Sequence, residues 1–89
     1  MYRKERMASV MRDLLAQEIE KTIDPNGALL TVMDVSIDED FENAVVTISV
    51  FPDDKKNGFV RILNKNAPTL AFFLLKKMKI RKVPMLEFV

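Results

Sequence analysis

Residues 3–23 alternate apolar and charged positions with a helical period. Met7, Val10, Met11, Leu14, Ile19 and Ile23 recur every three to five residues, and Leu15 widens the stripe, apart from one adjacent step at Met11. This spacing puts them on one face of an amphipathic helix. Arg3, Lys4, Glu5, Arg6, Arg12, Asp13, Glu18, Glu20 and Lys21 fill the other face. Asp24-Pro25-Asn26-Gly27 ends the helix, because proline disfavours helical geometry at the residue before it and Asn-Gly favours a turn. The period then changes to two. Residues 29–37 read as a strand with Thr31, Met33, Val35 and Ile37 on one face. Residues 44–51 form a second strand, rich in β-branched side chains. The polar connection 38–43 suits an antiparallel hairpin and is too short for a crossover.

The helical period returns after Pro52. Asp53 or Asp54 is expected to cap the next helix, whose apolar positions are Phe59, Val60, Ile62 and Leu63. Pro68 cannot sit deep in a continuous helix, so a break is expected at Asn66-Ala67-Pro68, with Asn66 as N-cap of a third helix. Leu70, Phe73, Leu74 and Met78 line that helix. Residues 83–89 close as a short strand, with Pro84 at its start or on an edge. The predicted order is α-β-β-α-break-α-β, an α+β fold. With 89 residues, 48% of them hydrophobic, the chain suffices for one domain spanning 1–89.

Charge sharpens this picture. The net charge of +1 hides a segregation. Residues 34–54 hold Asp34, Asp38, Glu39, Asp40, Glu42, Asp53 and Asp54 and no base. Residues 55–82 hold Lys55, Lys56, Arg61, Lys65, Lys76, Lys77, Lys79, Arg81 and Lys82 and no acid. The distribution, rather than the total, shapes the field a partner meets. The run Lys76–Lys82 exceeds what a helix C-terminus requires and reads as a phosphate-binding surface. If it continues the helix, Lys76 and Lys79 share a face, as do Lys77 and Arg81. Arg3, Lys4 and Arg6 form a second basic group. Phe51, Phe59, Phe72, Phe73 and Phe88 occupy apolar positions and are expected in the core. Tyr2, near the terminus, is a candidate for stacking, and backbone and shape reading is expected over base reading.

Catalytic chemistry finds little footing. The chain has no cysteine and no histidine, which excludes disulfides, thiolate zinc sites and the commonest general base. Ser9, Ser36 and Ser49 have no histidine to activate them. The two glycines, Gly27 and Gly58, cannot make a phosphate-binding loop. Asp38, Asp40 and Glu42 lack the spacing of a calcium loop. No cofactor or metal is expected. No apolar run approaches the ~20 residues that span a bilayer, and residues 1–15 lack a signal-peptide core. A cytoplasmic protein without a membrane partner is therefore expected, and no exposed heptad suggests anything but a monomer.

Taken together, Arg3…Arg6-Met7…Ile19 with Asp24-Pro25, then Val32, Val35, Asp40, Ala44, Val46 and Ser49, then Leu63…Leu74…Met78-Lys79-Ile80-Arg81…Pro84…Leu86…Phe88 resemble the ribosome-binding factor A family. The resemblance covers about residues 3–88. It implies a KH-like (type II) domain with α-β-β-α-kink-α-β order, a three-stranded sheet and helices on one face. It also implies a non-catalytic assembly factor that binds the immature small ribosomal subunit and its ribosomal RNA. Such factors assist rRNA maturation, notably in the cold. RNA contact carries over onto Arg3, Arg6, Lys76, Lys79 and Arg81, joined by Lys77 and Lys82. The sequence departs from the family in three places. Asn66-Ala67-Pro68 stands where a small residue, any residue and glycine usually form the kink. Ala71 replaces a common basic residue. The further C-terminal segment of the family does not follow Val89. The alternative is a protein-interaction module, with the second or the closing strand pairing with a partner's edge.

Overall fold

The computed structural model describes residues 3–89, so Tyr2, the candidate stacking residue, lies outside the described residues. Helix α1 (Lys4–Thr22) buries Met7, Met11, Leu15 and Ile19, while Val10, Leu14 and Ile23 pack at its margins. Ile23 leaves helical geometry, the Asp24 carboxylate accepts from the Asn26 amide at 2.8 Å, and Asn26 and Gly27 both take positive φ. Asparagine and glycine are the residues that tolerate that geometry, so this turn follows from local sequence.

Strands β1 (Leu29–Ile37) and β2 (Asn43–Phe51) form the expected antiparallel hairpin. The alternation expected in β1 fails, for an identifiable reason. Val32 pairs with Ile48 and Asp34 with Thr47, which leaves Met33 as the extra residue of a β-bulge. The bulge resets the faces. Val32 joins Val35 and Ile37 in the core, while Thr31 and Met33 turn to solvent. The slip gains burial, because the first half of the strand turns Leu30 and Val32 inward instead of a threonine and a methionine. On β2, Ala44, Val46, Ile48 and Val50 face the core.

Asp53–Lys55 forms a single 3-10 turn before helix α2 (Lys56–Lys65). Neither Asp53 nor Asp54 caps by a side-chain hydrogen bond. The turn itself ties the Lys55 amide to the Pro52 carbonyl, and the two carboxylates stay exposed. Phe59 and Leu63 are buried one helical turn apart, whereas Ile62 falls off that face and is exposed. The break is a single residue. Asn66 sits at φ −94°, ψ 4° between α2 and helix α3 (Ala67–Met78). Its side chain does not cap α3. The Asn66 Nδ2 donates back to the Ile62 carbonyl at 2.8 Å, closing the end of α2 instead. Pro68 then lies in the first turn of α3, where its missing amide costs no helical bond.

Helix α3 buries Leu70, Leu74 and Met78 and ends at Lys79, whose φ of 55° is left-handed. Strand β3 (Met85–Phe88) follows the buried Pro84 and pairs with β2 in parallel. The sheet order is β1-β2-β3, with the helices on one face, which is the KH-like arrangement the resemblance implied. Beneath the sheet, Met11, Leu15, Leu63, Leu74, Ile48 and Phe88 are almost wholly removed from solvent. Each such side chain contributes about 1.5–3 kcal/mol by burial.

Two expectations change with this topology. Strand β2 is central and bonded on both sides, so it offers no edge to a partner. Phe51 and Phe72 are not core residues. They are exposed, whereas Phe59 and Phe88 are buried and Phe73 half-buried.

Candidate nucleic-acid interface

The hairpin fixes one end of the sheet, where Ile37 passes into Asp38–Glu42 and Asn43 begins β2. The Asp38 carboxylate organises that connection. It accepts from the backbone amides of Glu42 and Asn43 at 2.8 and 3.2 Å and from the Asn43 side chain at 3.0 Å. These bonds, that of the Asn43 side chain foremost, favour the ionised form and hold the Asp38 pKa below the ordinary carboxylate value.

The basic segment arrives at the same end. Lys76 and Lys77 occupy the last turn of α3, Lys79 is the left-handed residue that ends it, and Arg81 and Lys82 lie on the path into β3. All five are exposed. Because the helix stops at Met78, Lys76 with Lys79 and Lys77 with Arg81 do not form helical faces. Lys79 in left-handed geometry redirects the chain, so the cations spread around a turn instead of along one stripe. The path closes where the Met85 amide donates to the Glu42 carbonyl at 2.8 Å.

Here the acidic and basic segments meet. The Lys82 ammonium binds both carboxylate oxygens of Glu42 at 2.9 Å. Part of the charge segregation is thus used internally, at an exposed pair worth at most about 1 kcal/mol. Glu39 and Asp40 make no ion pair among the described residues. Among those residues, no three acidic side chains converge to hold a metal ion.

The second basic group lies toward this end too. Arg3 stands at the N-cap position of α1 and Arg6 on its first exposed turn. Glu5 and Arg12 border a shallow cleft with Asp34 and Val35, which places the start of α1 over the last part of β1. Topology therefore brings Lys82 to the end of the sheet that carries the hairpin connection and points the start of α1, with Arg3 and Arg6, toward it.

Two pairings escape a reading of the sequence. On the solvent face of α3, Phe72 is 60% exposed and the Lys76 ammonium lies 5.4 Å from its ring centroid. The four-residue spacing of an aromatic and a lysine on a helix is the signal that could have found it. In the last turn of α2, the Asn64 side chain pairs with the backbone of Phe88. No pattern in the sequence marks that contact.

The family model described as Ribosome-binding factor A matches residues 3–89. Ribosome-binding factor A of Thermus thermophilus is 30% identical over 87 residues, covering 98% of this chain and 90% of that protein. The Shewanella sp. protein of the same name is 31% identical over 90 residues, and this chain spans 60% of its length. The crystal structure of the Thermus protein superimposes with a TM-score of 0.85 at 29% identity, covering 99% of this chain and 96% of that one. A homology model of the Thermus factor, fitted into a cryo-EM map of its 30S complex, gives 0.77 at 30% identity over 91% of this chain and 87% of that one.

Proposed function

The chain belongs to the ribosome-binding factor A family, and on that premise we propose that it is a cytoplasmic, non-catalytic assembly factor of the small ribosomal subunit. It acts as one domain, binding the immature subunit as a monomer through ribosomal RNA. It assists late maturation and rRNA processing, including during growth in the cold. The observation that carries this reading is the similarity to a factor fitted into a 30S complex, over 91% of this chain.

The basic end supplies the mechanism. Lys76, Lys77, Lys79 and Arg81 are exposed and bound to no acidic side chain among the described residues. Each phosphate they neutralise releases counterions, so docking is driven by salt-sensitive electrostatics. Arg3 and Arg6 extend the surface, and Lys82 joins once Glu42 yields it. Glu39 and Asp40 beside the cations repel phosphate and set orientation. The kinked α2–α3 pair contributes shape. Retention on an immature subunit requires higher affinity for that state than for the mature one, which shifts the population between them.

Co-sedimentation with purified immature and mature small subunits across a salt series tests this. Salt-sensitive binding, stronger to the immature form and abolished when Lys76, Lys79 and Arg81 are changed to Glu, is expected. Binding indifferent to those reversals moves the face, and no binding at any salt overturns the assembly-factor reading.

A further inference from the structure

Among the exposed apolar side chains of the described residues, Phe72 is the one that carries an ammonium over its ring. An exposed phenylalanine is ordinary on a protein surface and explains nothing by itself. Phe51 is the contrast: it is 72% exposed, but Asp53 and Asp54 follow it closely and would repel a nucleic acid. Phe72 has the opposite surroundings. Lys76 holds its ammonium 5.4 Å from the ring centroid, and Lys77 and Lys79 follow at the end of the same helix. From Lys55 to Lys82 no residue is acidic. Ala71, next to Phe72, brings no charge and little bulk.

We infer that Phe72 and Lys76 form a stacking platform for one unpaired RNA base. This rests on the RNA-docking reading above and adds to it a contact with a base instead of the backbone. The base lies on the exposed ring of Phe72, and the Lys76 ammonium bonds the adjoining phosphate. Any base has a face to offer, so the platform selects for single-stranded, splayed-out RNA and not for a particular sequence. A duplex, whose bases are stacked internally, gains only the phosphate contact.

The test measures binding of two probes by the whole chain, a mixed-sequence single-stranded RNA 12-mer and immature small subunits. Phe72→Leu keeps an apolar side chain at an exposed site and is expected to fold normally. It should weaken 12-mer binding by roughly 5- to 150-fold, the range found when a stacking side chain is lost. The salt slope should stay as it is, because no phosphate contact is removed. Phe72→Tyr should restore affinity. Lys76→Gln should instead flatten the slope by about 0.7, one single-strand phosphate contact. Base stacking should also shift the Phe72 ring proton resonances upfield. If the chain binds small subunits but not the 12-mer, or Phe72→Leu binds both as tightly as the wild type, the platform is wrong and RNA docking stands. If the chain binds neither probe, the docking reading falls and the platform with it.

Discussion

The side-chain amide of Asn64 closes on the backbone of Phe88 from both sides. Its Nδ2 donates to the Phe88 carbonyl at 3.0 Å, and its Oδ1 accepts from the Phe88 amide at 2.8 Å. A helix side chain thereby takes the place of a neighbouring strand on the outer edge of β3. It satisfies groups that an edge strand would otherwise present to another chain. The protein-interaction reading, with β3 as donor edge, has this contact against it.

Removing the contact should cost stability. Asn64→Ala leaves two half-buried backbone groups at Phe88 without their partner, and each such loss costs about 1–3 kcal/mol. We expect a fall of about 2 kcal/mol in urea unfolding, with Asn64→Asp intermediate because it keeps the acceptor. An unchanged urea midpoint for Asn64→Ala would overturn the structural role.

The bulge in β1 makes two adjacent residues respond oppositely. Met33 is 54% exposed and Val32 is buried. Met33→Thr should change stability by less than about 0.5 kcal/mol, as exposed substitutions do. Val32→Thr places a hydroxyl in the core and should cost about 1–3 kcal/mol. Thermal unfolding of both variants checks the register, since an unbulged strand predicts the reverse order.

Asp38 gives the domain an acid limb. Its folded-state pKa lies below the ordinary value of 3.8, so its contribution to stability is complete above that value. The contribution is lost as pH falls through the depressed folded pKa. Wild type should therefore lose stability steadily below about pH 4, and Asp38→Asn should flatten that part of the profile. Parallel limbs in the two proteins would assign the acid sensitivity to other carboxylates.

Glu42 restrains Lys82. Glu42→Gln should leave stability within about 1 kcal/mol, because the ion pair is exposed. It should also tighten binding to small subunits and steepen the salt slope by roughly 0.7–0.9, the increment of one further phosphate contact. Unaltered affinity and slope would show that Lys82 takes no part.

The parts of this fold legible in the sequence were those governed by local rules. The stripe Met7–Ile19, the Asp24–Gly27 turn and the Pro68 break each follow from periodicity or backbone chemistry within a few residues. What escaped depended on distant segments. Nothing near Met33 announces that its neighbour, not itself, meets the core, because that choice is made by pairing with β2. Asn66 reads as a cap for the helix ahead, yet its amide finds the Ile62 carbonyl behind it. Lys76–Lys82 was legible as a basic run, but its spread depends on the left-handed turn at Lys79, a conformation no lysine advertises. Phe72 reads as a core residue because its helix is apolar on more sides than its neighbours can cover.

The parallel pairing of β3 with β2 also orders events in time. Val46 meets Val35 through a short hairpin, but it meets Phe88 only after a loop of roughly forty residues has closed. Closing so long a loop is slow and is rewarded late. The hairpin with α1 is therefore expected to assemble as an early unit and β3 to dock late. Substitutions in β3 such as Leu86→Ala should then act mainly by hastening unfolding, with little effect on the folding rate. The strand that completes the sheet is in this sense its latch: the last part to close and the first to open.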